Sequence, residues 1–153
     1  MSAIQPRFQS ARDKLDRMKL CARDIMSVPV HALHRDDSLG SAERLMQEKG
    51  VRHLPITDEK GFLVGLLSHR DVLRYSLSEL SEVSQLDRNI LVDDIPIGEL
   101  MQTEVQAVGP ETTLRTAALL MAEKKYGCLP VTEDGKLVGI VTEGDFLSFF
   151  TDT

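Results

Sequence analysis

Two short motifs place a hydroxyl three residues before a carboxylate, and each motif follows a strand-like apolar run. They are Ser68-x-x-Asp71 and Thr142-x-x-Asp145. One interpretation is a capping box, in which the hydroxyl and the acid satisfy free backbone N–H groups where a helix begins. The other is a binding site, because a helix N-terminus attracts anions and a carboxylate can accept hydrogen bonds from the hydroxyls of a ribose.

A glycine lies inside the strand that precedes each motif, in LVGLLS and in LVGIVT. Glycine at such a position indicates that a ligand or a second backbone approaches the strand closely. Capping alone would tolerate other residues in place of the aspartate. Because both copies keep the glycine, the hydroxyl and the aspartate together, the pattern favours a ligand.

The motifs belong to a duplication that covers most of the chain. A shift of about 75 residues aligns Met26 with Met101 and Leu39 with Leu114, and roughly a third of the aligned positions are identical. Each copy reads as an extended segment, a helix, a hairpin and a second helix. One such unit cannot bury its apolar sheet face alone. We therefore predict an α/β fold of two βαββα units packed sheet to sheet about a pseudo-two-fold axis.

The element boundaries follow from caps, apolar spacing and turn residues. Ser38 and Thr113 are predicted helix N-caps, and the recurring methionines are predicted to fill the core. The predicted extended segments are 28–33 and 105–108, and the predicted hairpins pair 54–57 with 62–67 and 129–132 with 137–141. The predicted organisation is an N-terminal helix over 1–18, a first unit over 19–76, an inter-repeat helical extension and irregular crossing over 77–94, and a second unit over 95–153.

Composition and charge restrict the partners. The chain has 153 residues and a net charge of -6, which disfavours binding to nucleic acid. Neither an apolar leader nor a membrane-length apolar stretch is present, so we expect a cytoplasmic protein with no membrane partner. Cys21 and Cys128 are isolated, and the side chains of His31 and His34 would diverge on an extended segment. We expect no metal site.

The duplicated segments LPIT…GFLVGLLSHRD and LPVT…GKLVGIVTEGD resemble the cystathionine β-synthase (CBS) domain family, whose units occur in tandem as a Bateman module. The resemblance covers residues 23–150. It implies a regulatory module, not an enzyme, that binds AMP, ADP, ATP or S-adenosylmethionine in the clefts between the repeats as a regulatory ligand, without any other cofactor. It also implies a homodimer of modules and an unidentified protein target.

The same resemblance assigns roles to individual residues. Asp71 and Asp145 correspond to ribose-binding acids, with Ser68 and Thr142 as the neighbouring hydroxyls. The segments Val28 to Val30 and Thr103 to Val105 correspond to the backbone that lines the adenine. The places that face phosphate carry Arg52, His53, His69 and Arg70 in the first copy, and Gly127, Cys128, Glu143 and Gly144 in the second. Because arginine matches phosphate geometry, we expect the Asp71 site to hold a phosphorylated ligand more tightly.

Two other classes of function stay open at this stage. The clefts could be vestigial in a structural or dimerisation module, in which case no ligand would raise the melting temperature. An enzyme that acts on a nucleotide would need a carboxylate cluster for metal or an activated nucleophile. The sequence displays neither, so we expect a binding module.

Overall fold

The computed structural model describes residues 19–151, without the side chain of residue 150, so the predicted helix over 1–18 lies outside the described residues. In the described part no helix is long and apolar enough to cross a membrane. The elements are α1 (Ala22–Ile25), β1 (Leu33–His34), α2 (Leu39–Lys49), β2 (His53–Thr57), β3 (Leu63–Ser68), α3 (His69–Glu79), α4 (Gln85–Leu91), a 3-10 turn (Ile97–Glu99), α5 (Leu114–Lys124), β4 (Cys128–Glu133), β5 (Lys136–Thr142) and α6 (Glu143–Thr151).

The first long helix of each repeat begins at the predicted cap. The Oγ of Ser38 accepts the N–H of Ser41 at 3.0 Å, and the Oγ1 of Thr113 accepts the N–H of Thr116 at 3.2 Å. Each bond satisfies one of the free N–H groups at a helix start. The predicted apolar spacing is also confirmed, because Ala42, Met46, Ala117 and Met121 are all buried.

Both predicted hairpins form, with ends that differ from the prediction by about one residue. Strands β2 and β3 pair antiparallel with Leu54 opposite Leu67, and β4 and β5 pair with Leu129 opposite Val141. The predicted extended segments are shorter than expected. Only β1, at Leu33–His34, remains of the first, and the second makes a single bridge between Val108 and Val131.

The inter-repeat segment differs from the predicted helical extension, because it contains a separate helix. Helix α3 ends at Glu79, and Ser84 caps the separate helix α4 by accepting the N–H of Asp87 at 3.3 Å. The prediction rested on Leu77, Leu80, Val83 and Leu86, which recur at intervals of three residues. Leu80 is buried, whereas Leu77 and Leu86 are 74% and 79% exposed, so these residues do not form one buried face.

The start of each repeat packs on the other repeat, which explains why the extended segments are short. Ala22 and Met26 belong to the second core, and Ile97 and Met101 belong to the first. The Ser27 N–H donates to the Ile140 carbonyl at 2.9 Å. The equivalent residue of the second repeat, Gln102, exchanges two backbone hydrogen bonds with Leu66, at 2.8 and 2.9 Å. These crossing segments hold the repeats together.

The contacts between the repeats are reciprocal. The Leu63 N–H donates to the Gly135 carbonyl at 3.1 Å, and the Leu137 N–H donates to the Gly61 carbonyl at 3.0 Å, so the two hairpins join at their turns. Equivalent residues thus make equivalent contacts in both directions. The predicted α/β fold of two βαββα units about a pseudo-two-fold axis is confirmed.

Candidate functional site

A cavity of about 890 Å³ lies in the seam between the repeats. This volume is within the range of small-molecule sites. The first repeat supplies the crossing segment 26–31 and the segment 50–53, which ends on β2. The second repeat supplies Gly127, Ile140 and the segment 142–144 at the start of α6. Neither repeat could form this cavity alone.

Asp145 lies beside this cavity and has two partners. Its Oδ2 accepts the Thr142 N–H at 2.8 Å, and the Thr142 Oγ1 accepts the Asp145 N–H at 3.4 Å. Its Oδ1 accepts the hydroxyl of Ser27, a cavity-lining residue, at 3.0 Å. The acid therefore caps α6 and also contacts the crossing segment of the first repeat. A carboxylate offers about four lone-pair positions, so acceptor capacity remains for a ligand.

Asp71 repeats this arrangement in the first repeat. Its Oδ2 accepts the Ser68 N–H at 2.9 Å, and the Ser68 Oγ accepts the Asp71 N–H at 3.1 Å. The Nε2 of Gln102 lies 3.3 Å from both carboxylate oxygens. The capping-box interpretation of both motifs is thus confirmed, and each acid also faces the crossing segment of the other repeat.

The strand glycines make room for those crossing segments. A Cβ on Gly65 would lie 2.6 Å from the Sδ of Met101 and 3.1 Å from the Gln102 carbonyl oxygen. A Cβ on Gly139 would collide with Met26 in the same way. Both glycines thus accommodate a methionine side chain of the crossing segment, and Gly65 also accommodates its backbone.

Arg52 and His53 line the cavity together with the segment 142–144 of the second repeat. His53 also lies opposite Ser68 in the pairing of β2 with β3, so it adjoins the Asp71 motif as well. The expected preference of the Asp71 site for a phosphorylated ligand stays a prediction. A Cβ on Gly127 would lie 2.8 Å from the Cε1 of His53 and 2.9 Å from its Nε2, so Gly127 provides the space that the imidazole occupies.

The charges around this cavity are mixed. Burial lowers the pKa of His53 below its ordinary value, the carboxylates of Glu143 and Asp71 act in the opposite direction, and Arg52 lowers the pKa further. Arg52 is exposed and forms no ion pair within residues 19–151. Its guanidinium is therefore available to an anionic ligand, while Glu143 repels one.

Some of the remaining predicted residues line the cavity, and others lie near Asp71. Val28 and Val30 line the cavity beside the motif of the opposite repeat. Thr103 and Val105 follow Gln102, which contacts Asp71. His69 and Arg70 are exposed in the first turn of α3. Cys128 does not line the cavity; it is 3% exposed, and burial raises the pKa of its thiol to about 12.

Sequence reasoning missed Ser27, Gln102 and His31. Ser27 and Gln102 contact the two aspartates, and His31 lines the cavity. The signal that could have found Ser27 and Gln102 was the alignment of the two repeats, since a polar residue follows Met26 in the first copy and Met101 in the second. Among residues 19–151, no three His, Cys, Asp or Glu side chains gather in a group that could hold a metal ion.

Comparison with known proteins agrees with this architecture. The sequence profile of the CBS domain matches residues 22–78 and 97–152. Together these ranges cover more than half of the chain and coincide with the two copies of the repeat. The molecule is thus a tandem pair of such domains. The chain belongs to the CBS domain family, and the resemblance of its duplicated motifs to that family is confirmed.

Individual relatives include the chloroplastic CBS domain-containing protein CBSX2 of Arabidopsis thaliana. It is 33% identical over an alignment of 136 residues that covers 76% of this chain and 56% of that protein, so the chain spans little more than half of its relative. The CBS domain-containing protein YhcV of Bacillus subtilis is 28% identical over 123 residues, 80% of each chain.

Two solved structures share the fold and contain adenosine compounds. CBSX2 in complex with AMP has a TM-score of 0.71 at 32% identity, covering 85% of this chain and 95% of that one. The CBS domain pair of MJ0100 in complex with 5′-methylthioadenosine and S-adenosyl-L-methionine has a TM-score of 0.71 at 27% identity, covering 85% and 94%.

Proposed function

We propose that this chain is a regulatory module that binds an adenine nucleotide in the seam between its two CBS repeats. The observation that carries the proposal is the cavity of about 890 Å³, whose walls come from both repeats. The AMP complex of CBSX2 and the two adenosine compounds bound to MJ0100 support the same class of ligand. The module does not transform the nucleotide; it responds to it.

The walls of the cavity match the parts of a nucleotide. Val28, Val30 and Ile140 offer apolar contact to an adenine ring. The hydroxyl of Ser27 and the carboxylate of Asp145, which bond each other at 3.0 Å, are suited to the ribose hydroxyls. The first turn of α6 and the guanidinium of Arg52 are suited to phosphate.

The charge of the cavity favours a monophosphate over a triphosphate. Arg52 offers one positive charge, whereas Glu143 places a negative charge at the same end. Each additional phosphate would therefore meet repulsion as well as attraction. Glu143 also favours a second candidate, S-adenosylmethionine, because its sulfonium is cationic. The cavity beside Asp145, rather than the site around Asp71, is therefore the proposed phosphate site, because Arg52 lines that cavity.

A ligand in the seam contacts both repeats, so its binding depends on how they pack. If one packing arrangement binds AMP more tightly, AMP shifts the population towards it. We propose that a partner protein reads this change, either within one module or in a homodimer of modules.

Calorimetric titration with AMP tests the site. Asp145→Ala and Arg52→Ala should each weaken binding by about 10- to 100-fold, the loss expected for one hydrogen bond to a charged group. Arg52→Ala should leave the affinity for adenosine unchanged, because adenosine has no phosphate. Thr113→Ala is the matched control, since it removes a helix N-cap that does not line the cavity.

Two results would contradict the proposal. If AMP produced no heat and no rise in melting temperature, the clefts would be vestigial and the module structural. If Thr113→Ala weakened AMP binding as much as Asp145→Ala, the effect of Asp145 would be loss of the cap and not loss of a ribose contact.

A further inference from the structure

A second cavity, of about 620 Å³, lies between α2, α3 and α4 of the first repeat. Its lining residues recur at helical spacing. They are residues 43, 46 and 47 of α2 with its C-cap residue 50, and residues 69, 72, 73 and 76 of α3. Such residues share one face of a helix. The cavity is therefore a groove between two helices, running about two turns, or about 10 Å, along each.

The ends of this groove differ from its middle. At one end Arg88 of α4 donates to Glu43 of α2 at 2.5 and 3.3 Å and to the Oγ of Ser76 of α3 at 3.1 Å. The side chains of this ion pair are only 21% and 27% exposed. Since Glu43 neutralises Arg88, this end is closed without a free charge.

The opposite end contains Arg52 and His69, whose backbones are joined by a hydrogen bond of 2.8 Å from the His69 N–H to the Arg52 carbonyl. Between the two ends the walls are mostly apolar, formed by Met46, Val51 and Leu73 with Gln47 as a polar residue beside them. The groove thus has a cationic entrance, an apolar middle and a neutralised far end.

We propose that this groove is a second ligand site, for a small amphipathic carboxylate. The carboxylate binds Arg52, and the apolar tail lies between α2 and α3 and points towards Arg88. Part of the wall lies outside the CBS repeats themselves, because Arg88 belongs to the segment between the two ranges that match the CBS profile.

The two cavities share one wall. Gly50, Val51 and Arg52 line both of them. A single guanidinium would have to divide its five N–H donors between a carboxylate in the groove and a phosphate in the seam, and the two anions would repel each other. The groove ligand therefore opposes AMP binding, and this part of the inference rests on the proposed function.

Saturation-transfer NMR with hexanoate on the whole chain tests the groove directly. Hexanoate should show transfer, whereas hexanol, which lacks the charge, should show much less. Leu73→Glu places a carboxylate in the groove and should abolish the transfer. Leu147→Glu is the matched control, because Leu147 is the equivalent exposed residue of the second repeat and does not line the groove.

Titration with AMP at saturating hexanoate tests the shared arginine. The affinity for AMP should fall about tenfold or more, as expected when a phosphate loses one charge-assisted hydrogen bond.

Equal transfer to hexanoate in wild type and Leu73→Glu would overturn the groove as a ligand site, and an AMP affinity that hexanoate leaves unchanged would overturn the coupling between the two cavities. If AMP alone fails to bind, the proposed function fails, while the transfer experiment still decides the groove.

Discussion

His53 is the residue at which charges of both repeats meet. It begins β2 of the first repeat, its ring fills the space beside Gly127 of the second, and the carboxylates of Asp71 and Glu143 both act on its pKa. Burial outweighs these carboxylates, so the pKa of His53 lies below the ordinary 6.5. The imidazole is neutral in the folded protein at neutral pH.

This lowered pKa predicts a loss of stability in acid. Below pH 6.5 the unfolded chain binds a proton at His53 more readily than the folded chain does, so the contribution of His53 to the free energy of unfolding is present above pH 6.5 and is lost as the pH falls through the lowered pKa. His53→Gln should reduce the acid sensitivity of the urea midpoint. His34→Gln, at an exposed position of β1, should leave it unchanged. An identical pH profile for His53→Gln and wild type would refute this.

The chemistry of single residues was partly predictable from sequence. A capping box was one of the two interpretations of Ser68 with Asp71 and of Thr142 with Asp145, and spacing alone suggested it because the motif is local and spans one helical turn. The contact of Arg52 with the seam cavity was not predicted, because the second repeat forms the opposite wall of that cavity. Local hydrogen bonding can be predicted from spacing, whereas contacts across the pseudo-two-fold axis depend on how the repeats pack.

At the scale of the elements, the strand glycines determine how closely the crossing segments can approach. Gly65→Ala should destabilise the fold by about 1–3 kcal/mol, the usual cost of overpacking, because its Cβ would lie 2.6 Å from the Met101 Sδ and 3.1 Å from a backbone oxygen. Gly139→Ala should destabilise the fold by a similar amount, because its Cβ would collide with Met26. Gly109→Ala is the control, since a Cβ there meets nothing within 4 Å. Chemical denaturation measures all three, and equal stability of the Gly65 and Gly109 variants would contradict the packing argument.

The helices and hairpins were predicted well because their signals are local. Ser38 and Thr113 cap helices whose apolar residues recur at helical spacing, and turn residues separate the paired strands. The inter-repeat segment was predicted less well. Its leucines have a regular spacing, but Ser84 caps a new helix and the chain turns at Leu80 before it. Apolar spacing cannot reveal a break between two short helices that share it.

At the scale of the whole molecule, the two cores use the chain differently. Every residue of the first core lies between Leu33 and Met101, so this core is continuous in sequence. The second core combines Ala22, Ile25 and Met26 with residues between Val108 and Phe146. The first core is thus inserted into the second, and the limits of the repeats in sequence do not coincide with the limits of the cores.

Fragments should reveal this arrangement. A fragment of residues 31–104 contains the whole first core and should give a cooperative melting transition by circular dichroism. A fragment of residues 19–76 corresponds to one sequence repeat but lacks Leu80, Val92 and Ile97, which are 7%, 4% and 0% exposed. We expect it to remain unfolded, because it cannot bury its apolar surface. Cooperative melting of the fragment 19–76 would contradict the finding that the start of each repeat packs on the core of the other.

The insertion of one core into the other also sets an order for folding during synthesis. Domains fold as units while the chain emerges from the ribosome, with the N-terminal units first. Here α1 emerges before any residue of the first core, yet its partners, the segment 110–112 and the second core, all follow the first core in sequence. Within residues 19–151 the first helix of the chain is therefore among the last to dock, and a nascent chain that has emerged through residue 104 would have a complete first core while α1 has not yet docked.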